Sequence, residues 1–235
     1  MAVRLLFPTY VFHRYLLDVN LPEDRGVDQL YLNLLKDTMD DMRKRDPIGR
    51  QISNAYTGWQ SNDGCETNPA FVKLLRRIER TFYDEVLPFH GIDENNVKLQ
   101  IGNCWANIND KGAWNRPHLH NGCWYSGVFY IRGDGDEGSI SFIDAMPKVV
   151  SDFPPCQRTR GEESFRPITG ELILFPSAAM HMVEPNQTDK DRYSISFNTV
   201  VRPKNGRSWN GEIENYDPNE FVFDLDQKGN PIFHN

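Results

Sequence analysis

At 235 residues, with 39% hydrophobic and 25% charged residues, the chain has the length and composition of a single folded domain with a sizeable core. A net charge of −7 and the lack of any basic block argue against nucleic acid as a general partner. No apolar run approaches membrane-spanning length, so no membrane partner is expected.

The opening segment MAVRLLFPTYVFHRYLLD is interrupted by Pro8, His13 and Arg14 and lacks a small-residue cleavage site, so it does not read as a signal peptide. Cys65, Cys104, Cys123 and Cys156 are far apart and form no C-x-x-C pair. Reduced, buried thiols and a cytoplasmic setting are expected.

In chain order, LFPTYVFHRYLL predicts an opening strand. PEDRGVDQLYLNLLKDTMDDMRKRD predicts a helix whose apolar face is Leu30, Leu34, Leu35, Met39 and Met42, ending before Pro47. QISNAYTGWQSNDGCET reads as a polar loop holding Trp59. In TNPAFVKLLRRIERTFYDEVL, Asn68 suits a helix cap and Pro69 a first helical position; Phe71, Leu74, Leu75, Ile78, Phe82 and Val86 form one core stripe. From residue 97 the period changes to two, with strands predicted in VKLQIGNCWANI, WYSGVFYIR, GSISFIDA, GELILFPS and RYSISFNTVVRP. The turns RGDGDEG and EPNQTDKD separate some of them. Lys148 to Arg166 reads as an irregular, site-covering segment, and the tail from about 203 shows only weak strand signals in EFVFDLD and NPIFHN. The expected architecture is mainly β: one domain over 1–235, with a helical layer at about 22–90 on one side of a jelly-roll or sandwich core at about 97–201, and a tail at 203–235.

Two histidines, His118 and His120, stand one residue apart in NRPHLHNGCWYSGVFYI. On an extended strand, residues i and i+2 face the same way, so both imidazoles converge on one spot. His181, after a strand ending in Phe175-Pro176, is a third ligand that the crossing strands of a jelly roll can bring to them. Three side chains on one side of a metal leave positions open for substrates and oxygen, the arrangement of non-haem iron(II) oxygenases; imidazoles suit zinc, nickel and copper as well. Each histidine taken alone reads more readily as an ordinary polar surface or core residue. Along RYSISFNTV, alternation places Arg192, Ser194, Ser196 and Asn198 on one face and Tyr193, Ile195, Phe197 and Thr199 on the other. An inward arginine beside a serine is either a carboxylate clamp or half of a structural ion pair. Asp134, Asp136 and Glu137 in GDGDEG read as a polar hairpin turn rather than a calcium loop, and Trp124 or Tyr125 is a candidate for substrate contact.

The run from Gly170 to Asn198, with Phe175-Pro176, His181, Pro185 and Arg192-x-Ser194, resembles the C-terminal half of the 2-oxoglutarate and iron(II)-dependent oxygenase superfamily. NINDKGAWNRPHLHNGCWYSGVFYI looks like its first half, and TGWQSND and LFPTYVF are similar to a family of these oxygenases with an H-x-H motif. The resemblance spans most of residues 1–201, is weakest between 145 and 168 and does not reach the tail. It implies a double-stranded β-helix binding Fe(II), with 2-oxoglutarate and O2 as cosubstrates, and hydroxylation of an unidentified small molecule or protein side chain with release of succinate and CO2. By the same resemblance, His118 and His181 are metal ligands, Arg192 with Ser194 and Tyr130 binds the far carboxylate of 2-oxoglutarate, and Asn107 lies nearby. His120 departs from the usual His-x-Asp or His-x-Glu. It is either the third ligand, which adds one positive charge to the site, or a neighbour of a carboxylate ligand such as Asp144. Two other readings stay open: a cupin-like three-histidine dioxygenase without 2-oxoglutarate, and a non-catalytic jelly-roll binding or structural protein. A homodimer is compatible with all of these readings.

Overall fold

The computed structural model describes residues 9–18, 20–21, 26–55, 57–144 and 161–204, with the backbone of 224–225 and 231–232. Two antiparallel sheets face each other. The larger is built, in spatial order, from β1 (Phe12–Tyr15), β9 (Glu171–Pro176), β6 (Tyr125–Arg132), β11 (Arg192–Pro203), β4 (Val97–Asn109) and β3 (Trp59–Gln60). The smaller runs β2 (Asn54–Ala55), β5 (Trp114–His118), β10 (His181–Val183), β7 (Ile140–Ile143) and β8 (Glu162–Phe165). This is the double-stranded β-helix, and its two layers bracket a pocket.

The larger sheet is buried on both faces, which explains why β6 is buried along its whole length except at Arg132. Phe129 and Ile131 of β6, Leu172 and Leu174 of β9, and Tyr193, Ile195 and Phe197 of β11 pack outward against the helices. Val128, Tyr130, Ile173 and Phe175 point inward, where Ile140 and Phe142 of the smaller sheet meet them. Phe129 is fully buried between sheet and helices. Phe129→Ala is expected to lower unfolding free energy by about 3–5 kcal/mol, read by urea denaturation.

The helical layer is α1 (Gln29–Arg45) and α2 (Pro69–Thr81), the latter continuing through a π turn (Phe82–Val86) into a short helix (Leu87–Phe89). Asn68 caps α2 by accepting from the Ala70 amide at 3.0 Å, and Pro69 opens it. Pro88 cannot donate to the carbonyl four residues back, and the widened turn lies where that bond is missing. The start and face of α1 differ from the periodicity. Asp28 caps it at Tyr31, so it begins at Gln29 rather than near residue 22. Its buried residues are Tyr31, Leu32, Leu35 and Met39, while Leu30 and Leu34 are exposed. Tyr31 turns the helix: its hydroxyl donates to the Ala70 carbonyl and accepts from the Leu74 amide, tying α1 to α2. At the far end the Tyr193 hydroxyl of β11 donates to Asp40 of α1 at 2.8 Å.

Five short strands escaped the pattern: β2, β3, β5, β8 and β10. The polar loop at 51–67 holds β2, β3 and a 3-10 turn (Cys65–Thr67), and Trp59 is buried with its indole N–H on the Asp46 carbonyl. In the segment read as irregular, Glu162–Phe165 is an edge strand paired with β7, while 145–160 lies outside the described residues. Strands of two to five residues are too short to show a period. The weak tail signals correspond to a two-stranded ribbon, Asp224–Leu225 with Pro231–Ile232; the rest of the tail lies outside the described residues. No helix among the described residues is long and apolar enough to cross a membrane.

Candidate metal and oxo-acid site

His118 ends β5 and His181 begins β10, and in the sheet register they are direct partners. Antiparallel neighbours sit close enough for side chains to touch, which closes the gap in sequence. Between His118 and Asn115 the register slips against His181 and Val183, a bulge that turns both side chains towards the pocket. His120 follows the strand, its amide donating to the Ser177 carbonyl at 2.8 Å. The ring centroids are 4.3 Å apart for His118 and His181, and 5.2 Å apart for each pair involving His120. One ligand atom from each residue lies within 4.8 Å of the others. Asp144 is not a member of this group, the only cluster of its kind among the described residues.

Two of the rings have the tautomer that a metal ligand needs. His118 Nδ1 is 2.6 Å from the Arg116 carbonyl and His181 Nδ1 is 2.9 Å from the Ala179 carbonyl. A carbonyl only accepts, so each Nδ1 carries the proton and each Nε2 keeps its lone pair. Burial pushes His118 below its ordinary value. Burial and then His118 push His181 down to about 3. Burial and then its two imidazole neighbours push His120 well down. His120 lies flat against Trp105, at 5.8 Å and 18°, and its ring also hydrogen-bonds the Asn198 side chain. Asn198 is itself held by Ser126 at 2.7 Å and Asn103 at 2.8 Å.

Across the pocket, β11 presents Arg192, Ser194 and Ser196, alternating with the outward Tyr193, Ile195 and Phe197. Ser194 lies opposite Tyr130 on β6 and Asn107 on β4, and all three line the cavity. Asn107 donates to the Ser196 hydroxyl at 3.0 Å. Arg192 is 2% exposed, and its Nη1 donates to the carbonyls of Glu137 and Gly138, each at 2.7 Å. No carboxylate forms an ion pair with it among the described residues. It is the only Lys, Arg, Asp or Glu among the pocket-lining residues. Burial pushes the Arg192 guanidinium down and, with Arg192 acting against it, pushes the Tyr130 phenol up to about 12.

Ser53, Asn109, Asn115 and Val183 also line the pocket, and no periodicity pointed to them because they sit in a loop, at a strand end or in strands of a few residues. Trp124 and Tyr125 do not line it. Both pack with Phe82 and His90 on the helical side, where the Tyr125 hydroxyl meets His90 Nε2 at 2.9 Å; the tryptophan of the site is Trp105. In GDGDEG, Asp134 pairs with Lys190 and Asp136 with Arg166, while Glu137 is bonded to its own turn, so these acids form no cation cage.

The sequence matches the model of a family described as "Putative 2OG-Fe(II) oxygenase" over residues 103–198. No curated protein matches it. The α-ketoglutarate-dependent epimerase SnoN of nogalamycin biosynthesis shares the fold with a TM-score of 0.57 at 10% identity, covering 82% of this chain and 79% of that one. A Trichoplax adhaerens prolyl hydroxylase, solved with a fragment of hypoxia inducible factor, does so with a TM-score of 0.52 at 11% identity, covering 81% and 83%. HygX from Streptomyces hygroscopicus, solved with nickel, 2-oxoglutarate and hygromycin B, scores 0.51 at 11% identity over 81% and 82%. The matched segment carries every pocket-lining residue except Ser53, and over residues 103–198 the sequence is similar to the 2OG-Fe(II) oxygenases.

Proposed function

We propose that the chain hydroxylates a C–H bond of a second substrate, consuming 2-oxoglutarate and O2 and releasing succinate and CO2. One observation carries this reading. Three imidazoles converge in the same pocket as a buried arginine that makes no ion pair among the described residues. A buried guanidinium with no ion-pair partner is costly, and a dicarboxylate that also chelates a metal fits both ends of the pocket.

His118, His120 and His181 would hold the iron, with Arg116 and Ala179 fixing two of the rings by their carbonyls and Trp105 and Asn198 fixing the third. Arg192 would hold the far carboxylate of 2-oxoglutarate with its free fork edge, helped by the hydroxyls of Ser194 and Tyr130, and Asn107 would border that subsite. The bound iron and 2-oxoglutarate supply the oxygen activation and the oxidative decarboxylation. The protein's part is to keep the ligand nitrogens proton-free, to orient the oxo-acid and to keep bulk water from its charged end.

Because Tyr130 is held neutral well above physiological pH, it serves as a hydrogen-bond donor to a carboxylate rather than as a base. Tyr130→Phe is expected to raise the KM for 2-oxoglutarate by about 12- to 150-fold, the worth of one hydrogen bond to a charged group, with kcat nearly unchanged in steady-state assays of succinate release. The direct test of the function is an anaerobic titration of the protein with Fe(II) and then 2-oxoglutarate. A weak visible charge-transfer band is expected to appear with both and with neither alone. No band at saturating 2-oxoglutarate would overturn the reading. Screens for succinate release should then cover both small molecules and peptides, since HygX is solved with hygromycin B and the Trichoplax enzyme with a peptide fragment.

A further inference from the structure

The turn RGDGDEG, which reads in sequence only as a hairpin connection, sets the orientation of Arg192. Glu137 is 1% exposed and faces no cation within ion-pair distance among the described residues. Its Oε2 accepts three consecutive backbone N–H groups of its own turn: Asp134 at 2.8 Å, Gly135 at 3.1 Å and Asp136 at 3.2 Å. Such charge-assisted bonds compensate for burying the carboxylate, and they lock the turn. The locked turn directs two successive carbonyls, those of Glu137 and Gly138, onto one nitrogen, Arg192 Nη1. Only a left-handed residue permits this course. Gly138 has φ +89°, and a Cβ there would stand 2.2 Å from the Glu184 carbonyl oxygen. With Nη1 occupied, Nη2 and Nε of Arg192 make no hydrogen bond to the described residues.

We propose that Glu137 is a positioning residue for the dicarboxylate: through its turn it holds one prong of Arg192 and so aims the other edge of the guanidinium at the far carboxylate of the cosubstrate. Glu137 thereby gives the site its preference for 2-oxo acids that carry a second carboxylate. Its own carboxylate offsets part of the buried charge without entering the fork, which stays open to a ligand. This inference rests on the oxygenase reading above.

The test uses the full chain loaded with Fe(II) under anaerobic conditions. Two chelators are titrated, 2-oxoglutarate and 2-oxopentanoate, which has the same chelating head and a methyl group in place of the far carboxylate. Glu137→Gln keeps the shape and removes the charge. It is expected to weaken 2-oxoglutarate about tenfold, on the scale of one charge-assisted hydrogen bond, and to leave 2-oxopentanoate and Fe(II) affinities within about twofold. A merely structural Glu137 would weaken both chelators alike. Equal losses, or no loss for 2-oxoglutarate, overturn the proposal. Should the variant fail to fold, the unmodified protein supplies the second measurement. Hydrogen exchange at the amides of 134–136 should slow when 2-oxoglutarate binds and not when 2-oxopentanoate binds; identical protection with the two overturns it. If the unmodified iron-loaded protein binds no 2-oxoglutarate at all, the oxygenase reading falls, and this inference with it. If that binding is intact, a flat Glu137→Gln result removes this inference alone.

Discussion

His181→Ala is expected to abolish stoichiometric iron binding and, with it, all turnover of 2-oxoglutarate. His181 is the most buried of the three histidines and the direct partner of His118 across the sheet. Its removal deletes a ligand and also leaves His118 and His120 facing a void. Loss of a group that merely supports a ligand costs roughly 10–100-fold in metal affinity, so loss of the ligand itself should cost more than about 100-fold. Equilibrium dialysis with Fe(II), and with Ni(II) as an oxygen-stable substitute, reads this directly. The fold should survive, because in the metal-free protein His181 is a neutral ring bonded to one local carbonyl. Far-ultraviolet circular dichroism would check that. Retention of tight, stoichiometric metal in His181→Ala would sink the three-imidazole centre.

Arg192→Ala should act at the other end of the same ligand. Removing one partner of a buried, hydrogen-bonded charge pair costs about 2–5 kcal/mol, which is roughly 30-fold to several-thousand-fold in the KM for 2-oxoglutarate. Iron binding should be unchanged. That split separates the oxygenase reading from a cupin-like dioxygenase with the same three histidines, which would consume no 2-oxoglutarate in any variant. Arg192→Lys should recover only part of the loss. An ammonium keeps the charge but cannot bridge the two carbonyls of the 137–138 turn and a carboxylate together in one plane. Arg192→Ala also strands those two carbonyls, so a lower unfolding midpoint should accompany the kinetic defect.

The parts of this protein that could be read from its sequence are those in which one strand or helix states its own geometry. In β11, the alternation over residues 192–198 places Arg192 and Ser194 inside and Tyr193 and Ile195 outside. The Asn68-Pro69 start of α2 carries its cap chemistry in two adjacent letters. The meeting of His118 with His181 was inferred from a fold resemblance and from the idea that strands cross; the register that pairs them is a property of the sheet, not of either segment. What escaped was set by contacts between distant residues. Leu30 and Leu34 fit a helical stripe as well as Tyr31 and Leu32 do, and only the bonds of Tyr31 to α2 decide which face turns inward. Glu137 and Gly138 sit in a turn, where composition signals a change of direction but not which nitrogen the carbonyls will meet. Tryptophans near a metal motif do not declare which side of the sheet they take; Trp105 faces the histidines and Trp124 the helices.

The two-sided character of β11 has a consequence for how the gene can vary. Each odd step along 193–197 carries packing for the helices, and each even step from 192 carries chemistry for the cavity. Inserting or deleting a single codon there would exchange the two sets at a stroke, driving aromatic bulk into the reaction chamber and a guanidinium into grease. Individual letters in this stretch can be traded for others of like kind, but the spacing between them is the quantity natural selection has least freedom to alter.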